Sequence, residues 1–181
     1  MNKSNILLIK KLYGFQFVLL FFVLFSGYSF AQLNSLKQLK QNAKDLNILK
    51  QSIKSSDPWT IDHLITTDEL AKELKNSKTH KPLILQVGFK FLYNTGHIPA
   101  SKYVGPASEK SGIKSIKNEV KSLKKNKSIV IYCGCCPWGH CPNIRPAYKT
   151  LKDLGFTNVK VLYIPQDFGK DWADAGYSVS K

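Results

Sequence analysis

The sequence predicts an α/β domain built on a mostly parallel sheet. Three short apolar runs, Leu83 to Val87, Ser128 to Tyr132 and Val159 to Ile164, have the length and β-branched content of buried strands. They alternate with stretches of helical periodicity, and strands separated by helices form parallel sheets. The third observation is the place of the chemistry. All four cysteines, Cys133, Cys135, Cys136 and Cys141, fall just after the second of these runs. That is the carboxyl end of a strand, where parallel sheets hold ligands.

The elements follow in order. Lys3, Lys10 and Lys11 precede an apolar core from Phe15 to Phe25, and Ser29 and Ala31 supply small residues before Gln32. That pattern predicts a signal peptide over residues 1–31, cut after Ala31, and an exported protein in a periplasmic or other extracytoplasmic compartment. No stable membrane insertion is expected after cleavage. The alternative is an uncleaved anchor, because the apolar run approaches spanning length. Residues 32–57 place Leu33, Leu36, Leu39, Leu46, Leu49 and Ile53 among lysines and glutamines, which predicts an amphipathic arm or linker. Ser55-Ser56-Asp57-Pro58 breaks it, and the domain is expected over 58–181.

Within the domain, Thr66 with Glu69 three residues on reads as a capping box that opens a helix to about Lys75. The strand at 83–87 comes next, then an irregular stretch over 88–111 and a helix from Ile113 to Leu123. The strand at 128–132 leads into the cysteine stretch. A helix from Asn143 to Leu154 is closed by Gly155. The strand at 159–164 and a short helix from Phe168 to Ala175 finish the chain.

Charge narrows the function classes. The formal net charge is +15, but 26 of the 27 basic residues are lysines and Arg145 is the one arginine. With no nucleic-acid motif, this is a lysine-rich solvated surface, and nucleic acid is not an expected partner. A positive field also favours small anions. Paired carboxylates suited to hydrolysis and phosphate-cradling glycine loops are both missing from the sequence. Disulfides among cysteines this close would close very short loops and add little stability. The cluster therefore points to chemistry.

Several segments, taken together and in order, resemble the rhodanese-like domain family. They are Thr67-Asp-Glu-Leu70, Leu83-Ile-Leu-Gln-Val-Gly88, Gly96-His-Ile-Pro-Ala-Ser101, Ile129-Val-Ile-Tyr-Cys133 and Leu154-Gly-Phe-Thr-Asn-Val159, with Trp172 and Gly176-Tyr177 at the end. The resemblance covers about residues 58–180. It implies a five-stranded, mostly parallel sheet flanked by helices, and a sulfurtransferase-type chemistry in which Cys133 carries a persulfide sulfur. The partners it implies are a small anionic sulfur donor and a thiol acceptor. It implies no cofactor, and it makes His97 structural. The sequence departs from the family at three places. Gln86 and Gly88 stand where the family has an aspartate and an arginine. Gln166-Asp167-Phe168-Gly169 replaces a glycine pair. Cys133 and Arg145 are twelve positions apart, so the active-site loop is enlarged and cysteine-rich, unlike the short loop of the family and of its phosphatase relatives.

The residues themselves support specific roles. A thiolate needs a lowered pKa, which cations or a helix N-terminus provide. Cys133 is the expected nucleophile at the strand end. Arg145 is expected to hold the anionic end of a donor such as thiosulfate with its planar fork. Cys141 is expected as the second, resolving thiol. If the loop is anchored on the helix instead of the strand, Cys141 becomes the working thiol. A different class of reading makes the loop a non-enzymatic zinc or copper site of Cys135, Cys136, His140 and Cys141. Another makes the cysteines a structural disulfide, and a third makes the domain a silent fold for partner binding. The sequence does not specify an oligomeric state.

Overall fold

The computed structural model describes residues 30–76 and 80–181. Residues 1–29 of the expected leader lie outside the described residues. The chain divides into two compact units, 1–47 and 48–181. In the first, the described residues 30–47 are helical. This helix, α1, is described over residues 30–52, with 48–52 in the second unit. It stops short of Ile53, the last of the predicted apolar positions. The Ser52 hydroxyl turns back to donate to the Leu49 carbonyl, and Asp57 accepts the Lys54 N–H, so the chain bends through the Ser55-Ser56 turn. Among the described residues no helix is long and apolar enough to cross a membrane.

The second unit holds a five-stranded sheet in the order β1-β5-β4-β2-β3, with all four strand pairs parallel. The strands are β1 (Leu64–Ile65), β2 (Leu83–Gln86), β3 (Lys102–Tyr103), β4 (Ile129–Tyr132) and β5 (Val159–Leu162). The helices are α2 (Thr67–Lys75), α3 (Lys90–Thr95), α4 (Lys110–Val120) and α5 (Ile144–Asp153), followed by a π-helical turn at Gly169–Ala173. Parallel strands require crossover connections, and α2, α4 and α5 supply them.

The local signals explain most of these bounds. The Thr66 hydroxyl accepts the Glu69 N–H, while the Glu69 carboxylate accepts the Thr66 N–H, so the predicted capping box opens α2. Gly155, at φ 84°, donates its N–H to Lys152, and Phe156 donates to Leu151, which completes a left-handed glycine stop after α5. Pro146 fits in α5 because it lies in the first turn, where an N–H has no helical acceptor. The predicted irregular stretch 88–111 needs correction, since it contains α3 and the edge strand β3. The other edge strand, β1, also goes beyond the sequence reading. Two-residue strands show no period that could announce them. The helix expected over 113–123 starts earlier, at Lys110, and ends at Val120.

Side-chain alternation gives the sheet two buried faces. Ile129 and Ile131 of β4 pack with α4 and α5, through Ile116, Val120, Ile144, Ala147 and Leu151. Val130 and Tyr132 pack on the opposite face with Leu70, Ala71 and Trp172. Cys133, two residues past Ile131, continues the α5 side. The strand register thus points Cys133 toward the start of α5.

Candidate functional site

Both ends of the cysteine stretch are fixed. At the strand end, Gln86 is buried and donates from Nε2 to the Cys133 carbonyl at 3.3 Å, while its Oε1 accepts the Gly88 N–H at 3.2 Å. A Cβ at Gly88 would lie 2.9 Å from Cys133 Sγ. The glycine that replaces the family's arginine therefore clears space for this sulfur. Gly134 takes φ 67°, and its carbonyl accepts the Phe168 N–H at 3.1 Å. The turn needs glycine, because a Cβ there would sit 2.8 Å from Phe168 Cβ.

Past this turn the inserted loop is pinned from two sides. Trp138 starts a short 3-10 turn, Trp138–His140, and donates its backbone N–H to Pro165 at 3.0 Å. Its indole Nε1 donates to the Ser52 carbonyl at 3.1 Å. Its ring lies 5.5 Å from Trp59 and 5.0 Å from Tyr163. Lys54 Nζ donates to the Gly139 carbonyl at 3.4 Å. Residues 52–59, just before β1, therefore hold the outer side of the loop. Trp138 covers the site from this side.

The four thiols form no disulfide. Cys133 Sγ is 3.0 Å from Cys135 Sγ, which is 3.1 Å from Cys136 Sγ. The sulfurs of Cys133, Cys135 and Cys141 all lie within 4.8 Å of one another. The expected metal set needs correction on this point. His140 is exposed and stands outside the group, while Cys133 belongs to it. Cys136 touches Cys135 but is not part of the mutual group.

Asn143 is a site residue that the sequence reading passed over as a helix start. It is fully buried at 0 % exposure, and its Oδ1 accepts the Ser108 N–H at 2.9 Å. That bond aims Nδ2 at the sulfurs, 3.5 Å from Cys133 Sγ and 3.9 Å from Cys135 Sγ. No motif marks it, because its role depends on Ser108, which is remote in sequence.

The electrostatics separate the thiols. Hydrogen bonds from Cys133 and Cys135, with the backbone N–H groups of Asn143 and Ile144, hold Cys141 down at about 3 against the effect of burial. Cys141 sits where the N–H groups of α5 converge, so the cluster's negative charge settles there. The Cys135 contact lowers Cys133, but its bond to Cys141, its burial and the Cys141 charge together push it up to about 12. Burial, then the Cys135 contact, raises Cys136 to about 12. Bonding to Cys133 and Cys141, with burial, also pushes Cys135 up.

Arg145 is placed differently from expectation. Its Nε donates to Asp57 Oδ1 at 2.7 Å, and Nη2 pairs with the same oxygen at 2.7 Å. The guanidinium carbon lies 5.4 Å from the Trp59 ring, and Nη1 reaches the Cys141 carbonyl at 3.5 Å. The fork is committed to a buried carboxylate. Arg145 is thus a structural fastener beside Cys141, and the expected anion-holding role is corrected. Asp57, within the turn cluster read only as a break, is the partner that the sequence did not reveal. His97 is structural as expected, with Nδ1 2.9 Å from the Tyr93 carbonyl and its backbone bridged to Ser180.

A cavity of about 510 Å³ opens on the strand end, lined by Gln86, Leu92, Tyr132, Cys133, Cys135 and Phe168 among others. Cys141 does not line it. It faces a small hollow of about 10 Å³ shared with Cys133, Cys136 and Trp138. The cavity therefore gives Cys133 and Cys135 an approach that Cys141 does not share.

Comparison with known proteins adds three findings. A search of curated proteins finds no match. Solved structures give similar chains at low identity. The Alr3790 protein from Anabaena sp. is 21 % identical, covering 64 % of this chain and 81 % of that one, with a TM-score of 0.49. Protein hp1203 from Helicobacter pylori is 16 % identical, over 66 % and 89 %, with a TM-score of 0.46. A rhodanese-like domain protein from Staphylococcus aureus is 22 % identical, over 65 % and 97 %, with a TM-score of 0.41. The profile of the rhodanese-like domain matches residues 66–163, more than half of the chain, and runs from the capping box of α2 through the cysteine stretch to the end of β5. The chain belongs to the rhodanese-like domain family.

Proposed function

We propose that the protein transfers sulfane sulfur, with Cys133 as the carrier. The observation that carries this reading is the position of the Cys133 sulfur. It lines the cavity at the carboxyl end of β4, and a thiolate is held beside it on Cys141. A nucleophile must be reachable by its substrate, and Cys133 meets that condition where Cys141 does not.

The step balances with thiosulfate as the donor. The Cys133 thiol gives its proton to solvent, and its sulfur attacks the outer sulfur of thiosulfate. A sulfur–sulfur bond forms on Cys133 as the one in thiosulfate breaks, and sulfite leaves with the bond's electron pair. The products are a Cys133 persulfide anion, a proton released to solvent and sulfite. The net positive charge of the chain favours approach of such a dianion. An acceptor thiolate then takes the outer sulfur and restores Cys133.

The test is the mass of the reduced protein after exposure to thiosulfate. One added sulfur on the peptide that contains Cys133, absent in Cys133→Ser, is the expected result. Sulfur mapped to Cys141, with Cys133→Ser still loading, would transfer the role to the helix-anchored thiol. No gain on any cysteine would favour a silent fold that binds partners.

We also propose export, with a mature N-terminus at Gln32, on the charged, apolar and small-residue pattern of residues 1–31. N-terminal sequencing of the cell-derived protein tests it, and a sequence beginning at Met1 would refute it.

A further inference from the structure

We propose that Cys133, Cys135 and Cys141 form a three-sulfur site for a soft monovalent cation, Cu(I). A metal–sulfur bond of about 2.3 Å puts the sulfurs of a planar three-coordinate centre about 4 Å apart. The three sulfurs of this site all lie within 4.8 Å of one another, with Cys133 and Cys135 at 3.0 Å, so side-chain shifts of about 1 Å arrange them around one ion. Cys133 directly follows β4 and Cys141 closes the Trp138–His140 turn three residues before α5, while Cys135 lies in the loop between them.

The donor set selects the metal. It is all sulfur, since the one nearby imidazole, His140, is exposed and outside the group. Soft thiolates select Cu(I), whereas hard cations require oxygen ligands. Zinc needs a fourth ligand for its tetrahedral shell. Cys136 is the nearest candidate, but its sulfur is outside the mutual group and its backbone is tied to the neighbouring Cys135.

The surroundings fit a negatively charged metal–thiolate centre. All three sulfurs bind as thiolates, Cys133 and Cys135 giving their protons to solvent, so the bound site carries two negative charges. The N–H groups at the start of α5 face Cys141. The Asn143 amide, locked by Ser108, presents Nδ2 to Cys133 and Cys135. A fully buried amide with its donor end fixed toward two sulfurs orients and stabilises thiolate ligands. The same atoms serve a sulfur carrier, so bound Cu(I) would exclude sulfur loading at Cys133. The metal site does not depend on the sulfur-transfer reading.

The experiment is an oxygen-free titration of the reduced full chain with Cu(I) against a chromophoric Cu(I) chelator. One copper per chain should be withheld from the chelator. Cys133→Ser, Cys135→Ser and Cys141→Ser should each weaken binding at least about tenfold, and Asn143→Leu by about tenfold. Cys136→Ser should bind as the parent does. X-ray absorption on the unsubstituted protein avoids any folding failure of a variant, and it should find three sulfurs at about 2.3 Å. No copper withheld, a two-sulfur centre, a nitrogen or oxygen ligand, or an equal loss in Cys136→Ser would each overturn the assignment. Thiosulfate loading is read separately by mass on metal-free protein, so failure of one reading leaves the other standing.

Discussion

The two ends of the cysteine loop carry the same functional group in opposite states. Cys133 and Cys141 are both buried, at 5 % and 7 % exposure, and burial alone would raise both. Cys133 sits at a strand end in the same buried cluster as Ile131, Val87 and Ile144, and its thiol stays protonated. Cys141 lies at the start of α5, where backbone N–H groups and two thiols donate to it, and it holds the charge. The difference shows that directed donors decide where a thiolate forms, and that access decides which sulfur reacts. The cavity serves the strand end, and the charge sits at the helix end.

The largest expected effect breaks this division of roles. Cys133→Ser should abolish sulfur loading, because a hydroxyl in its place does not ionise as a thiol does. Cys141→Ser should leave the site of loading at Cys133 without slowing it, because Cys141 is among the causes that keep the Cys133 thiol protonated. Single-turnover loading followed by mass spectrometry separates the two. Equal abolition in both variants would mean that the sulfur moves through Cys141 as well.

The second prediction turns the contrast into a pH profile of stability for the reduced protein. Cys141 has its folded pKa lowered from 9.0 to about 3, so its contribution is fully present above pH 9 and fades as pH falls toward 3. Cys133 and Cys136 are raised from 9.0 to about 12, so they favour the folded state below pH 9, and that contribution is lost as pH rises toward 12. Urea unfolding across pH should find a thiol-dependent maximum near 9. Cys141→Ser should flatten the acid side, and an unchanged acid side would refute the placement of the thiolate.

The comparison also explains what could be read in the sequence. The strand end was legible, because Ile129 to Tyr132 is an apolar run whose parity assigns Cys133 to a face. The α2 and α5 signals, Thr66 with Glu69 and Gly155, were equally local, and both hold. The edge strands β1 and β3 were not legible at two residues each. The helix end of the site was hidden for another reason. Arg145 invited an anion-binding role by chemistry alone, but its partner Asp57 is 88 positions away. The contacts of Asn143 with Ser108 and of Trp138 with Ser52 are remote in the same way. Composition showed a cysteine cluster, and only tertiary packing showed that His140 stands outside it.

A third prediction concerns the fastener at the helix end. The Asp57 side chain is 0 % exposed and that of Arg145 25 %. Asp57→Ala would leave the guanidinium without its carboxylate and free the Lys54 turn. The cost should be about 1–3 kcal/mol, less than for a fully buried pair because Arg145 keeps contact with water. Denaturant unfolding measures it. The strand end should be unaffected, so sulfur loading at saturating thiosulfate should still map to Cys133.

The smallest expected effect tests whether residues 52–59 position the loop or merely touch it. Trp138 Nε1 gives one hydrogen bond to the Ser52 carbonyl, while its ring packs against Trp59 and Tyr163. Trp138→Phe keeps an aromatic ring and removes the donor. The expected loss of stability is about 0.5–1.5 kcal/mol, the usual net worth of one hydrogen bond, with some added for the smaller ring. If this bond holds the loop's outer side, Cys141 should react faster with a small alkylating agent in Trp138→Phe, since the hollow it shares with Trp138 would open. Alkylation of Cys133 should barely change, because its route runs through the larger cavity on the other side of the loop. Mass spectrometry of the alkylated peptides reads both rates in one experiment. Equal acceleration at both cysteines would mean that the loop moves as one piece, and that its two ends are less independent than their contacts imply.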